Sequence, residues 1–395
     1  MTVPTNAGSE FTVGSSRGTR PAGFAANRLG LDYARESSAF RGLSQGIIDG
    51  HLHIGGAEAS KIWVEAADLY GITAAFTQTR LSEADAVREA VGDRARFVAI
   101  PDYRADNRAE AMTTGFERDM RVWRDEHGAR MVKFWMAPRL RDLTSGSGLD
   151  GLADYNSDLR KRQMDLACEL GLMLMTHIAD PDTWFATKYA DASVYGSKRQ
   201  QYEGLEAAIE RTSPMPWLLA HMAGTPEDLE WLAELMDRHP QVVIDTSATK
   251  WQVRELSKHE PAALTAFLRR FAGRVIFGTD IVTTDEHLSK SEPPAPGDRR
   301  PDFGKQASSK QEAFDLYASR YWAMRALFES TYDDESPIAD PDLAMVEPDR
   351  HEPDDAPRLR GIGLSSDELR TLYFEAADRT IGAWYRGEHP VQTGA

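Results

Sequence analysis

The sequence predicts an α/β fold, a (β/α)8 TIM-type barrel with an N-terminal arm and a C-terminal helical extension. Two observations carry the prediction. From Gly46 onward, short runs rich in apolar and β-branched residues alternate with helical segments, the rhythm of βα units around a parallel sheet. Eight such runs can be counted, the number that closes a barrel. An open doubly wound sheet is the alternative that strand count alone leaves standing.

Residues 1–45 are rich in Gly, Ser, Thr, Ala and Arg and show little periodicity. They are expected to form a partly irregular arm, which could also wrap a neighbouring subunit. Residues 46–395 are expected to form the barrel, its long loops and the terminal helix. The strands read as "GIIDGHLH", "GITAAFTQ", "ARFVAIPDYR", "ARMVKFWM", "LMLMTHIAD", "PWLLAHMAG", "QVVIDTSAT" and "RVIFGTDIVT". Between them lie helical stretches such as "SEADAVREAVG", "LRKRQMDLACELG" and "TPEDLEWLAELMDRHP". In the last of these, Thr225 and Asp228 suggest a capping box and Pro226 the first helical position. Leu229, Leu232, Leu235 and Met236 supply its apolar stripe.

A polar, proline-rich stretch, "DEHLSKSEPPAPGDRRPDFGKQ", begins at Asp285 after the eighth strand. Its length fits a functional lid or a disordered loop. The helix "QEAFDLYASRYWAMRALFES" should complete the eighth unit. A second Pro- and Asp-rich connection then leads to "SSDELRTLYFEAADRTIGAWY", a final helix expected to pack on the barrel.

Composition narrows the function. Sixty-two acidic against 46 basic residues give a formal net charge of −16, which disfavours nucleic acid or an anionic membrane surface as partner. The single cysteine, Cys168, excludes an intramolecular disulfide framework and suits a reducing cytoplasm; its type is most often a small buried apolar residue. No run approaches the roughly 18 apolar residues of a membrane span, and the N-terminus has no secretory h-region. A cytoplasmic location is the expectation.

The ends of the strands hold the chemistry. His51 and His53 end the first strand; residues at i and i+2 share a face, so both imidazoles can reach one object. Lys133 lies on the fourth strand, His177 ends the fifth, His221 the sixth and Asp280 the eighth. Each alone reads as an ordinary hydrogen-bonded, capping or salt-bridged residue. Together they put four of ten histidines and an acid on one rim, which points to a metal site.

"DGHLH", "THIAD", "LAHMAG" and "FGTD", in this order, resemble the amidohydrolase superfamily, and within it the amidohydrolase-2 branch of metal-dependent hydrolases, decarboxylases and hydratases. The resemblance spans residues 46 to about 385, with Ala376-Ala377 where that branch often has Asn-Ala. It implies a divalent metal, Zn first and Mn or Fe as alternatives, bound by His51, His53, His177 and Asp280. It implies catalytic roles for Asp280, as acceptor of the proton of a metal-activated water, and for His221, which would stand beside the metal. Lys133 would orient substrate, or, if carbamylated as in binuclear relatives, bridge a second metal; one metal is favoured.

Arg80, Arg104, Trp135, Arg139, Trp184, Lys188, Lys250 and Arg254, with Tyr103 and Trp251, fall in the strand ends and following loops. A cationic ring in an acidic protein suggests a small anionic substrate, a carboxylate with an aromatic or apolar portion. Some of these residues could equally be helix-face or salt-bridge residues, and "KWQVR" could simply open the helix after the seventh strand. The long aromatic loop after His177, "ADPDTWFATKYADASVYGSKRQQYEG", is expected to touch substrate, a neighbouring subunit in a homodimer, or both. The reading favoured is hydrolysis of an amide, lactone or ester; decarboxylation or hydration on the same scaffold is the alternative.

Overall fold

The computed structural model describes residues 24–40, 42, 44–289 and 306–388. Most of the proline-rich segment expected as a lid, 290–305, lies outside the described residues, as do residues 1–23.

The barrel strands are β1 (Ile47–His53), β2 (Ile72–Thr77), β3 (Ala95–Phe97), β4 (Met131–Trp135), β5 (Met173–His177), β6 (Trp217–Leu219) and β7 (Val242–Asp245). The eighth is interrupted, as β8 (Val275–Ile276) and β9 (Ile281–Val282). Every pairing among them is parallel, and they lie in two sheets ordered β3-β2-β1-β9 and β4-β5-β6-β7-β8. Hydrogen bonds join the sheets at both seams. Ala99 bridges Val132, with Ala99 N–H donating to Met131 O at 2.8 Å and Lys133 N–H to Ala99 O at 2.9 Å. On the other side Gly50 N–H donates to Phe277 O at 2.8 Å, so the interrupted strand meets β7 with its first half and β1 with its second.

Period-two alternation sorts the strand residues into an inner and an outer set. Ile48, Phe76, Val98, Met131, Met173, Leu218, Val243 and Ile276 form one buried cluster inside the barrel. Ala376, Ala377 and Ile381 of the terminal helix belong to the same cluster, so this helix closes the end where the strands begin. The chain has a π-helical pitch there, over Thr371–Glu375 and Asp378–Gly382, and Tyr385 anchors it by donating to Phe97 O at 2.5 Å. The opposite end, where the strands finish, is left for chemistry.

Two details depart from the expected elements. The third strand stops at Phe97, well before "PDYR"; Pro101 has no N–H to offer a ladder. The helix after β6 begins at Leu229 with Asp228, not Thr225, as its cap: the Asp228 side chain accepts from Trp231 N–H at 3.0 Å. Thr225 and Pro226 instead lie in turns, with Thr225 N–H donating to Met222 O and Asp228 N–H to Thr225 O. The described part of the arm packs against the barrel's helices. Asn27 donates to Leu31 O at 2.9 Å and to Asp315 at 3.1 Å, and Phe40 packs on Tyr70 and Trp322.

A hairpin, β10 (Asp333–Glu335) with β11 (Arg358–Arg360), holds the second Pro- and Asp-rich connection. Asp340 and Asp342 from that connection reach the segments that follow β5 and β7. Among the described residues, no helix is long and apolar enough to cross a membrane.

Candidate metal centre

The site begins with an irregularity in β1. Asp49 pairs with Ala75 but Leu52 with Thr77, so β1 carries one extra residue across that step, a β-bulge. The bulge lets Ile48 join the apolar interior while His51 and His53 above it share the open end of the barrel. Gly50 fits the crowded step, because a Cβ there would come within 2.7 Å of Ile276 Cδ1.

The other strand ends turn sharply. Asp280 has φ 60° and interrupts the eighth strand, its N–H donating to His51 O at 2.8 Å. After β6, His221, Met222 and Ala223 have φ of 59°, 51° and 56°, and Ala248 after β7 has φ 66°. Non-glycine residues held in the left-handed region cost energy, and they gather where side chains must be aimed. Here they sit on three neighbouring strand ends of one rim.

These turns bring the predicted residues together. Asp280 Oδ1 lies 3.3 Å from His51 Nε2 and 3.2 Å from His53 Nε2, and the three donor atoms are within 4.8 Å of one another. The His221 ring stacks 4.8 Å from His51 at 26° and stands 4.4 Å from the ring of His177. His177 itself turns Nε2 to Asp180 at 2.8 Å, and Asp180 accepts from Tyr189 Oη at 2.5 Å. It thus shares the rim without joining the three-donor group. Lys133 is buried beneath, with Nζ 2.9 Å from His51 Nε2 and 2.5 Å from Gln78 Oε1.

The electrostatics suit cation binding. Burial, with Lys133 nearby, lowers the His53 pKa to about 4, and burial and His177 lower that of His221 well below the usual value. Both rings are therefore neutral near pH 7, as metal ligation requires. Burial opposes ionisation of Asp280, but His51, His53 and His221 overcome it and hold its carboxyl well below the usual range. Burial brings Lys133 down to about 8. The Nε2 atoms of His51 and His53 with the ionised Asp280 carboxylate, at this spacing, fit a divalent ion of the zinc type.

Around this centre the expected substrate residues divide. Arg80 is held by Asp102 through two hydrogen bonds of 3.2 and 3.0 Å, and Arg104 by Glu286 at 3.2 Å. Arg254 is only 3% exposed, bonded to Glu255 at 2.6 Å, to Asp340, and to Asp342 at 3.3 Å. Three carboxylates thus enclose this guanidinium, which ties the segment after β7 to the connection that carries Asp340 and Asp342. Trp184 and Trp251 both donate to Asp342, at 2.7 and 3.1 Å, and pack edge to face 5.4 Å apart. Trp251 also stands 5.7 Å from His221 and 6.1 Å from His177, forming one wall of the site. Lys188 lies over Trp184 at 3.4 Å. Trp135 packs against Tyr103 at 5.6 Å. Arg139 is exposed at the mouth; among the described residues neither it nor Lys250 has a carboxylate within ion-pair distance.

Sequence reasoning missed Asp245, Ser247, Gln78, Asp180 and Asp342. For three the signal was present: Asp245 and Ser247 continue the inward alternation of Val243, and Gln78 that of Phe76.

No curated protein matches this chain significantly. Among solved structures, an amidohydrolase from Burkholderia multivorans with bound Zn is similar at 16% identity, covering 85% of this chain and 99% of its own, with TM-score 0.40. A mutant organophosphorus hydrolase from Deinococcus radiodurans shows 16% identity over 69% of this chain and 93% of its own, TM-score 0.40. A 5-carboxyvanillate decarboxylase from Novosphingobium aromaticivorans, complexed with manganese and a nitrobenzoic acid, shows 12% identity over 82% and 79%, TM-score 0.38. Such distant likenesses leave the assignment to the family model described as Amidohydrolase, the amidohydrolase-2 group, which matches residues 48–377 and takes in every strand end from His51 to Asp280. The chain belongs to the amidohydrolase family.

Proposed function

We propose that this enzyme is a metal-dependent hydrolase that adds water to the carbonyl of an amide, lactone or ester in a small, carboxylate-bearing substrate with an aromatic or apolar portion. The observation that carries the reading is the approach of Asp280 to both His51 and His53, with His221 one ring away. His51, His53 and Asp280, with His177 as the expected fourth donor, would hold a divalent ion, which when bound would supply Lewis acidity at the carbonyl and at the attacking water. Asp280 is ionised at neutral pH and accepts the proton given up by that water. His221, neutral at rest, would receive that proton from Asp280, face the new oxyanion as an imidazolium, and pass the proton on to the leaving group. Lys133, fixed by Gln78 and His51, keeps a positive charge at the floor of the site.

The substrate class follows from which cations remain available. Arg80, Arg104 and Arg254 are neutralised by acids and Lys188 lies 3.9 Å from Asp342, leaving Arg139 and Lys250 as the cations best placed to hold a carboxylate. Trp184 and Trp251 offer a flat apolar wall for the rest. The test is turnover of aryl lactones, esters and amides bearing a carboxylate, in 18O-labelled water. Incorporation of one 18O into the product carboxyl is expected; release of CO2 from an aromatic or unsaturated acid without such incorporation would replace hydrolysis by decarboxylation.

A further inference from the structure

The end of strand β7 and the segment just after it contribute two polar side chains that the reaction above does not use. Asp245 and Ser247 are both wholly buried. Asp245 Oδ2 lies 2.9 Å from His51 Nδ1. Its Oδ1 accepts from the backbone N–H of His221 at 2.8 Å, from the backbone N–H of Ser247 at 3.0 Å, and from the Ser247 hydroxyl. Ser247 Oγ in turn lies 2.7 Å from His221 Nδ1 and 2.9 Å from His51 Nδ1. Asp245 therefore touches both histidine positions at once, one through its ring and the other through its backbone.

Donor and acceptor counting fixes where the protons sit. An ammonium can only donate, so Lys133 Nζ at 2.9 Å from His51 Nε2 requires that nitrogen to be the acceptor. His51 must then carry its hydrogen on Nδ1, where an ionised carboxylate receives it. The single hydroxyl hydrogen of Ser247 points at Asp245, which can only accept. Ser247 Oγ is left with lone pairs alone for His221, so His221 too must carry its hydrogen on Nδ1.

We infer that Asp245 and Ser247 are positioning residues that hold His51 and His221 as Nδ1–H tautomers, with both Nε2 lone pairs directed into the site. Each ring thereby meets its need: His51 Nε2, which accepts from Lys133 here, carries no hydrogen and would serve as a ligand atom once Lys133 yields to a metal, and His221 Nε2 is a proton acceptor. A second carboxylate-held ring nitrogen also makes a ligating imidazole more basic and better oriented. The unit couples the two rings through one carboxylate, so disturbing the serine should affect mainly His221 while disturbing the aspartate affects both. The inference concerns the proposed site, but its readout does not depend on which reaction that site performs.

The test is long-range 1H–15N correlation spectroscopy of the full chain with 15N-labelled histidine, which distinguishes Nδ1–H from Nε2–H rings directly. His51 and His221 are expected as Nδ1–H tautomers. Ser247→Ala should move His221 to an Nε2–H or mixed tautomer and leave His51 unchanged, and Ser247→Thr, which keeps the hydroxyl, should restore the original spectrum. Asp245→Asn should weaken metal binding about 10- to 100-fold, the range seen when an outer partner of a ligating histidine is lost. If Asp245→Asn does not fold, the serine pair decides alone. Nε2–H tautomers in the parent protein, or a His221 signal indifferent to Ser247→Ala, would overturn the inference whatever the substrate proves to be.

Discussion

Arg254 offers the sharpest separation between a structural and a substrate role, through Arg254→Met. The native guanidinium is 3% exposed and bonds Glu255 at 2.6 Å, Asp342 at 3.3 Å, Asp340, and Thr183 Oγ1 at 3.1 Å. Methionine fills much of the volume but leaves buried carboxylates facing one another. Removing one partner of a buried pair costs about 3–5 kcal/mol, more than an exposed pair could. That corresponds to roughly two to four orders of magnitude in the unfolding equilibrium. The penalty should also depend on pH. Burial, only partly countered by Arg254, already raises the Asp340 pKa, and losing the cation raises it further. A carboxyl with a raised folded pKa stabilises the fold below its unfolded value and loses that contribution as pH rises through the folded one. The variant should therefore lie closest to the parent near pH 5 and furthest from it near pH 8. Urea unfolding at both pH values is the assay, read as a shift in midpoint at constant slope. An unchanged midpoint together with a tenfold rise in KM would refute the reasoning and return Arg254 to the substrate.

Three further outcomes follow from the same structure. Asp285 caps the Ala57–Tyr70 helix from the far side of the barrel seam, accepting from the N–H groups of Ala57, Glu58 and Ala59 at 3.1, 3.0 and 2.8 Å; Asp285→Ala should cost about 1–2 kcal/mol in thermal or urea unfolding. Ile381 is fully buried in the plug under the barrel, and Ile381→Ala should lower stability by about 2–5 kcal/mol while leaving the metal affinity of the distant rim unchanged. Charge removal at the mouth, as Lys188→Met or Arg139→Met, should raise KM for a carboxylate substrate with little change in unfolding midpoint; equal KM for the parent and both variants would exclude these residues as anchors.

Much of the fold was legible because alternation and spacing are local signals. The eight strands, the helix after each and the rim placement of His51, His53, His177, His221 and Asp280 can all be read from periods of two and 3.6. What could not be read depends on pairings distant in sequence. The β1 bulge, which aims His51 and His53, exists only relative to β2. Arg254 looked like a free cation because Asp340 and Asp342, which neutralise it, arrive from a connection more than eighty residues later. Asp245 stood in the seventh strand in plain view, but an acid at a strand end gains meaning only when His51 is seen to share its proton. The misplaced helix start at Thr225 has a local cause: three left-handed residues and Gly224 spend that stretch on a turn.

The central claim is that His51, His53 and Asp280 hold a divalent ion, and crystals of the metal-loaded protein measured at the metal absorption edge test it most directly. One anomalous peak per chain is expected, within coordination distance of His51 Nε2, His53 Nε2 and an Asp280 carboxylate oxygen. A peak placed instead among Asp245, His221 and His51 Nδ1, or none at this rim in protein that turns over substrate, would contradict it.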